Sequence, residues 1–196
     1  MFVRGNDTAL KTRFAVRNRL LTALAGTACF GSALAAQAAL GGGMTLTGAK
    51  PKTLSLPQAA AADKAATRGD ISADKKTLTF RQKTVRLVVH SGPPSDMLSY
   101  RIAELRNPTL VVPAGATLKT LFINTDDDMT HNLRFGAQHA VSTPSVGTSG
   151  LAHKTDAAFH AADVTLRVPS KPGTYYYFCT IPGHAQGGMW GTLHVR

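Results

Sequence analysis

Hydrophobic and polar residues alternate in short runs from about residue 76 to the end of the chain, with turn residues between the runs. The runs are rich in valine, threonine, isoleucine and aromatic residues, which are typical of β-strands. Asn107-Pro108 and Pro172-Gly173 are two of the turns. Short strands at this close spacing predict an all-β sandwich or barrel. The predicted strands cover residues 77–80, 85–89, 97–105, 109–112, 118–124, 164–168, 174–179 and 190–195.

Residues 39–75 lack this alternation. They open with Gly41-Gly42-Gly43 and contain an alanine run from Ala59 to Ala62, with charges and prolines interspersed. Such low-complexity composition is typical of linkers. We therefore predict a mostly mobile linker over 39–75, in which Leu54 and Leu56 are the residues suited to docking on the domain that follows at 76–196.

The first 38 residues have the features of a signal peptide. Positive charges lie within residues 4–19, a moderately apolar stretch follows at 20–36, and Ala36-Gln37-Ala38 matches the small-x-small pattern of a cleavage site. An uncleaved membrane anchor is the alternative, but the apolar stretch is short and is diluted by glycine, serine and threonine. We predict an exported, periplasmic protein cleaved after Ala38. No stable membrane insertion is expected after cleavage, because no later segment is long and apolar enough to span a bilayer.

The charge of the chain is strongly basic, with a formal net value of +11. Residues 39–196 carry 17 basic and 10 acidic side chains, which leaves +7 without the predicted signal peptide. Hydrophobic residues make up 43% and charged residues 17%, a composition that excludes a disordered polyelectrolyte. The basic residues are scattered, so no nucleic-acid-binding face is predicted. The charge instead favours an acidic protein partner.

Only two cysteines occur, Cys29 in the apolar N-terminal stretch and Cys179 near the C-terminus. If signal cleavage removes Cys29, one cysteine remains and an internal disulfide is impossible. A lone cysteine in an exported protein then has two obvious explanations, pairing with another chain or binding a metal.

The residues from Cys179 to Met189 form the most informative motif. Cys179, His184 and Met189 follow a C-x4-H-x4-M pattern in a stretch rich in glycine. Blue copper sites bind the metal with two histidines and a cysteine, and add a long, weak bond to an axial methionine. One loop between two strands can supply three of these ligands. The fourth must come from elsewhere, and His131, which follows the polar turn Asp126-Asp127-Asp128, is the candidate.

Each of these residues also has a simpler explanation. Cys179 alone would be read as a buried apolar cysteine, His184 as a surface histidine and Met189 as a core residue. Their joint spacing, with His131 upstream, favours a metal site over these separate explanations. The assignment of His131 as a ligand rests on its distance from the loop and its sequence context. His139 is the substitute that we consider for it. The other histidines are interpreted as surface or structural residues; they are His90, His153, His160 and His194.

The C-terminal part of the chain resembles the cupredoxins, the family of type 1 (blue) copper proteins, and looks nearest to its rusticyanin and sulfocyanin members. The resemblance covers roughly residues 76–196. It implies a cupredoxin-like Greek-key β-sandwich and one copper ion bound by His131, Cys179, His184 and Met189. It also implies that Asn132 ties the two ligand-bearing segments together. The motifs that carry it are 173–179, 181–184, 188–191 and 122–125.

The resemblance implies a small carrier of single electrons and not an enzyme. Its expected partners are redox proteins, such as an acidic cytochrome or a terminal reductase or oxidase, and the protein itself is expected to be a monomer. A multicopper enzyme would need further histidines, usually as His-x-His, and the sequence has no such pair. A zinc site could use the same histidines and cysteine, but it would give the methionine no role.

A periplasmic protein for copper binding, storage or delivery is the alternative function. Such proteins tend to expose clusters of methionine or histidine. The methionines after residue 38 are instead dispersed along the chain, at positions 44, 97, 129 and 189.

Overall fold

Thirteen strands and one helix form the part of the chain that this computed structural model describes, residues 43–196. Their bounds are β1 (Thr45–Leu54), α1 (Leu56–Ala65), β2 (Asp70–Ile71), β3 (Thr77–Thr79), β4 (Thr84–Ser91), β5 (Tyr100–Ile102), β6 (Leu105–Arg106), β7 (Thr109–Val112), β8 (Thr117–Asn124), β9 (Arg134–Gly136), β10 (Ser145–Gly147), β11 (Phe159–Arg167), β12 (Gly173–Phe178) and β13 (Trp190–Val195).

The strands form two sheets. One has six strands in the order β1-β11-β8-β4-β5-β6, and the other has seven in the order β10-β9-β12-β13-β7-β3-β2. Most neighbours are antiparallel, but β4 pairs with β8, β7 with β13 and β3 with β7 in parallel. The prediction of an all-β sandwich is confirmed, and the predicted strands correspond closely to β3, β4, β7, β8, β12 and β13.

The main hydrophobic core draws side chains from both sheets. In β8, Leu118 and Phe122 point into it, and in β12 Tyr177 does the same. Leu118 and Phe122 are four residues apart on one strand, so they share one face. The side chain of Ile123 points to the opposite face of its sheet, where it packs with Val88 in a second, smaller cluster.

The predicted linker over 39–75 is wrong for most of its length. Strand β1 pairs antiparallel with β11 along its whole length and forms one edge of the six-stranded sheet. Pro51 is compatible with this position, because an edge strand leaves half of its backbone N–H groups without a sheet partner. Met44, just before β1, is completely buried in the main core. The domain therefore includes residues from Met44 onward, and the predicted boundary at 76 is wrong.

Helix α1 follows directly after β1 and explains the alanine run. Ser55 and Gln58 form a capping box, in which each side chain accepts the other residue's backbone N–H. Ala59 is buried in the second cluster against Val88 and Ala161. The small alanine side chains thus let the helix lie close to the outer face of the sheet.

The predicted signal peptide, residues 1–38, lies outside the described residues. Within residues 43–196, no helix has the length and hydropathy that a membrane span requires.

Candidate metal centre

Cys179 and Met189 lie at the two ends of one loop. β12 and β13 pair antiparallel, with Phe178 opposite Trp190. The next residues toward the loop are Cys179 and Met189, and they face each other. The backbone N–H of Cys179 donates to the carbonyl of Met189 at 3.1 Å. The eleven-residue segment is therefore a closed hairpin loop whose first and last side chains are held next to each other.

Hydrogen bonds inside the loop and from outside hold it in a compact form. The N–H of His184 donates to Ile181, and the N–H of Met189 donates back to the carbonyl of His184 at 3.0 Å. Gly188 has φ +101°, a backbone conformation that side chains disfavour. Its carbonyl accepts the side-chain amide of Asn107 at 2.9 Å. Asn107 thus connects the β6–β7 turn to the residue preceding Met189.

His131 reaches the same place from a different part of the chain. It lies between β8 and β9 and forms an isolated antiparallel bridge with Leu151. The two residues exchange both backbone hydrogen bonds, at 3.1 and 2.7 Å. This bridge fixes the backbone of His131 from the segment between β10 and β11, whose role the sequence did not indicate.

The structure brings His131, Cys179 and His184 together, with their donor atoms within 4.8 Å of one another. The Nδ1 atom of His184 lies 3.1 Å from Nδ1 of His131 and 3.5 Å from Sγ of Cys179. Metal bonds to nitrogen and sulfur of about 2.0–2.3 Å would place three donors around one ion roughly 3.5–4 Å apart. The donor set of two imidazoles and one thiolate is the one that type 1 copper uses. The residues present therefore fit a single copper ion.

Met189 is the fourth predicted ligand. Its side chain is fully buried, and it belongs to the same core cluster as Cys179. Cys179 and His131 are also completely buried, whereas His184 is partly exposed. Of the four predicted ligands, only His184 reaches the surface.

The local environment affects the protonation of two of these side chains. Burial raises the pKa of the Cys179 thiol, although backbone N–H groups and Tyr100 act in the opposite direction. Burial, followed by the proximity of His131, lowers the pKa of His184. The raised pKa favours the protonated thiol, which must lose its proton to bind a metal, and the lowered pKa favours the neutral imidazole of His184, the form that binds metals.

Asn132 ties the two ligand-bearing segments together, as the family resemblance implied. Its side-chain amide donates to Oγ1 of Thr180 at 2.8 Å, and its Oδ1 accepts the backbone N–H of Thr180 at the same distance. Thr180 directly follows Cys179. Two hydrogen bonds therefore hold Asn132, the residue after His131, against Thr180, the residue after Cys179.

Two buried tyrosines lie beneath the site. The Tyr100 hydroxyl donates to the carbonyl of Asn132 at 2.5 Å, and the Tyr177 hydroxyl donates to the carbonyl of Pro108 at 2.7 Å. Their rings are in contact, with centroids 5.6 Å apart. Burial raises the pKa of both hydroxyls well above the ordinary value. Nothing in the sequence distinguished Tyr100 as a residue of this site.

Sequence reasoning also missed Asp126. Its Oδ2 atom lies 3.0 Å from Nε2 of His131, and both side chains are buried. The sequence presented Asp126, Asp127 and Asp128 as one polar turn. The five-residue spacing from Asp126 to His131 was visible, but no pattern in the sequence marks which of three adjacent aspartates points inward.

The other histidines in the described residues lie away from the cluster. His139, the substitute we considered for His131, stacks on Trp190 with ring centroids 3.9 Å apart and planes 8° apart. His90 contacts Asp63, and His194 contacts Thr174.

The chain is similar to known copper proteins in both sequence and structure. Residues 95–196 match the family model for copper-binding proteins of the plastocyanin/azurin family. The rusticyanins of Acidithiobacillus ferridurans and Acidithiobacillus ferrooxidans are each 36% identical to this chain over 177 residues, covering 85% of this chain and 92% of theirs. The structure of rusticyanin from Thiobacillus ferrooxidans superimposes with a TM-score of 0.66 at 34% identity, covering 74% of this chain and 97% of that one.

Proposed function

This chain belongs to the plastocyanin/azurin family of copper-binding proteins, and from that premise we propose that it carries single electrons between redox partners. In this proposal one type 1 copper ion is bound by His131, Cys179, His184 and Met189. Copper bound there would supply a one-electron couple between Cu(II) and Cu(I). One observation carries the proposal. The buried thiol of Cys179 lies together with the imidazoles of His131 and His184, which come from separate segments of the chain.

The protein's own contribution is to hold these side chains in one arrangement. Asn132 links the segments of His131 and Cys179, and the bridge to Leu151 fixes the backbone of His131. A site that moves little between oxidation states loses little energy in reorganisation, so electron exchange is fast. Softer sulfur and intermediate nitrogen donors suit both oxidation states of copper.

His184 is the proposed route for electrons to and from the surface. It is the one partly exposed side chain among the four proposed ligands. The residues that precede it in the loop, Pro182 and Gly183, are both exposed. The proline is rigid and the glycine is small. A partner that docks on this loop would therefore approach the site without moving a bulky side chain.

An electron carrier is favoured over an enzyme by the number of donors. Four protein donors leave no coordination position for a substrate, whereas catalytic metal sites usually keep one open. The redox partner is proposed to be an acidic protein such as a cytochrome or a terminal reductase or oxidase, since residues 39–196 carry a net charge of +7. The carrier itself is proposed to be a monomer exported to the periplasm.

The visible spectrum of the copper-loaded protein tests this function. An intense absorption band toward the red end, lost in Cys179→Ser, is expected because the band depends on a copper–thiolate bond. The variant should still fold, since serine is close to cysteine in volume. A colourless protein that binds several copper ions would instead support storage or delivery, and a Cys179→Ser variant that stays blue would exclude Cys179 as the ligand.

Export is tested separately. The protein isolated from its host should begin at Ala39 if the signal peptide is cleaved after Ala38. An intact Met1 terminus in the membrane fraction would support the anchor instead.

A further inference from the structure

Asp126 and His131 form a buried contact that the proposed ligand set does not include. Asp126 is 1% exposed and His131 is completely buried, and their Oδ2 and Nε2 atoms lie 3.0 Å apart. The neighbouring Asp127 is exposed and pairs with Lys154 at the surface. Of the three consecutive aspartates, only Asp126 therefore faces the metal centre.

Both oxygens of the Asp126 carboxylate are engaged. Oδ1 accepts the backbone N–H groups of Asp128 and Met129, each at 2.9 Å, while Oδ2 faces His131. The backbone N–H of Asp126 itself donates to Oδ1 of Asn124, the last residue of β8. The carboxylate is thus fixed in direction by the turn that it closes, and it has little freedom to leave His131.

Gly92 covers this contact from the end of β4. A Cβ atom at this position would lie 2.4 Å from Oδ2 of Asp126 and 2.6 Å from Nε2 of His131. Its φ of +62° also disfavours a side chain. The backbone of glycine can therefore approach both atoms closely, at a position where any side chain would collide with them.

The two nitrogens of His131 then have separate partners. Nε2 faces a carboxylate, which can only accept a hydrogen bond, so the ring proton is expected on Nε2. In that tautomer Nδ1 carries no proton, and it faces Nδ1 of His184, 3.1 Å away. Carboxylates that accept from metal-binding histidines set the ring orientation and raise the basicity of the nitrogen that binds the metal.

We propose that Asp126 is a positioning residue of the copper centre, which holds His131 in its Nε2–H tautomer and stabilises Cu(II) relative to Cu(I) with its negative charge. This inference rests on the function proposed above. The charge is effective because it is buried, where screening by water and salt is weak. To close the turn, Asp126 needs only Oδ1 as an acceptor. The turn does not explain why Oδ2 contacts His131.

Asp126→Asn separates this role from that of a simple turn residue. Asparagine has nearly the same size, but it has one acceptor oxygen in place of two and no charge. The equilibrium between oxidised and reduced copper should move toward Cu(I) by at least about tenfold, a rise in reduction potential of about 59 mV. Asp127→Asn is the matched control, since it removes the same charge one residue away at an exposed position. Equal potentials in the two variants would overturn the charge effect.

The metal-free protein gives a second measurement. Nitrogen-15 NMR of the imidazole rings should find His131 as the Nε2–H tautomer in the parent and in Asp127→Asn, with a smaller fraction of it in Asp126→Asn. Finding the Nδ1–H tautomer in the parent would overturn the positioning role without the need for any variant. A parent protein that fails to become blue with copper would reject the proposed function, whereas a blue parent with the wrong tautomer would reject only the role of Asp126.

Discussion

Asn132 and Thr180 exchange two hydrogen bonds of 2.8 Å across 48 residues of chain. One uses the side-chain amide of Asn132 and the other its carbonyl oxygen, so the asparagine is satisfied on both sides. The pair holds the residue after His131 against the residue after Cys179. It directly connects the two segments that carry the proposed ligands.

Replacing Asn132 with alanine should loosen this connection. The backbone N–H of Thr180 would lose its partner in a partly buried position, so the free energy of unfolding should fall by about 1–3 kcal/mol. Urea unfolding of the metal-free protein would measure the loss. Gln138→Ala, at an exposed loop position, is the control and should change stability by less than about 0.5 kcal/mol. Equal stabilities for the two variants would show that the pair contributes nothing.

Met189 should affect the reduction potential more than the binding of copper. Its thioether is expected to be a weak axial donor that stabilises Cu(II) slightly, so Met189→Leu should raise the potential. Met189→Gln supplies a harder oxygen donor and should lower it. Shifts on the order of 100 mV correspond to a few kcal/mol, which is reasonable for one weak ligand. Voltammetry would measure both, and identical potentials for all three proteins would make Met189 a packing residue only.

His131 and His139 give a matched pair of substitutions. His131→Gly should remove one imidazole from the centre and weaken the colour, and added imidazole should restore it by occupying the vacated position. His139→Gly should keep the spectrum, because His139 stacks on Trp190 outside the cluster. The free energy of unfolding should fall only by the contribution of this stacking contact, about 1 kcal/mol. Loss of copper in His139→Gly with retention in His131→Gly would reverse the assignment.

Asp96 should make stability depend on acid pH. Arg106 donates to both of its oxygens and Arg101 to one, at 2.6–3.1 Å. The hydrogen bond from Arg106 is the main interaction that lowers the pKa of Asp96 below its ordinary value of 3.8. The stabilisation is therefore present in full above pH 3.8 and is lost as the pH falls through the lower, folded-state pKa.

The variant Asp96→Asn should be less stable than the parent near neutral pH by roughly 1 kcal/mol, the scale of a partly buried bidentate pair. Urea unfolding at a series of pH values should show this difference closing in acid. Asp163→Asn breaks a single exposed pair with Lys52 and serves as the control, with a smaller effect at neutral pH. A difference for Asp96→Asn that is constant with pH would exclude an ionic origin.

The alternation of residues predicted the strands of the sandwich well where one face of a strand is buried. The C-terminal part of β11 is an example, since the buried Val164 and Leu166 alternate with the more exposed Thr165 and Arg167. The same reasoning failed for β1, which lies at an edge and contains Gly48 and Pro51. Its strand conformation depends on backbone pairing with β11, and backbone pairing leaves little trace in side-chain hydropathy.

Helix α1 was missed for a related reason. The alanine run was interpreted as low complexity, although Ser55 and Gln58 already matched a capping box. Few of its residues are large and apolar, so it shows almost no hydrophobic periodicity. Its packing relies on the close approach of Ala59 to the sheet, which the sequence of the helix alone does not reveal.

The sequence by itself determined the part of the candidate centre that is local in the chain. Cys179, His184 and Met189 lie within one short loop, so their spacing carries the geometry that the flanking paired strands impose. Tertiary structure alone decided which distant groups meet that loop. It selected His131 over His139, turned Asp126 inward while Asp127 faces solvent, and placed Gly92 over their contact. These choices depend on how separate strands end beside one another in space, and the spacing of residues along one chain does not encode such distances.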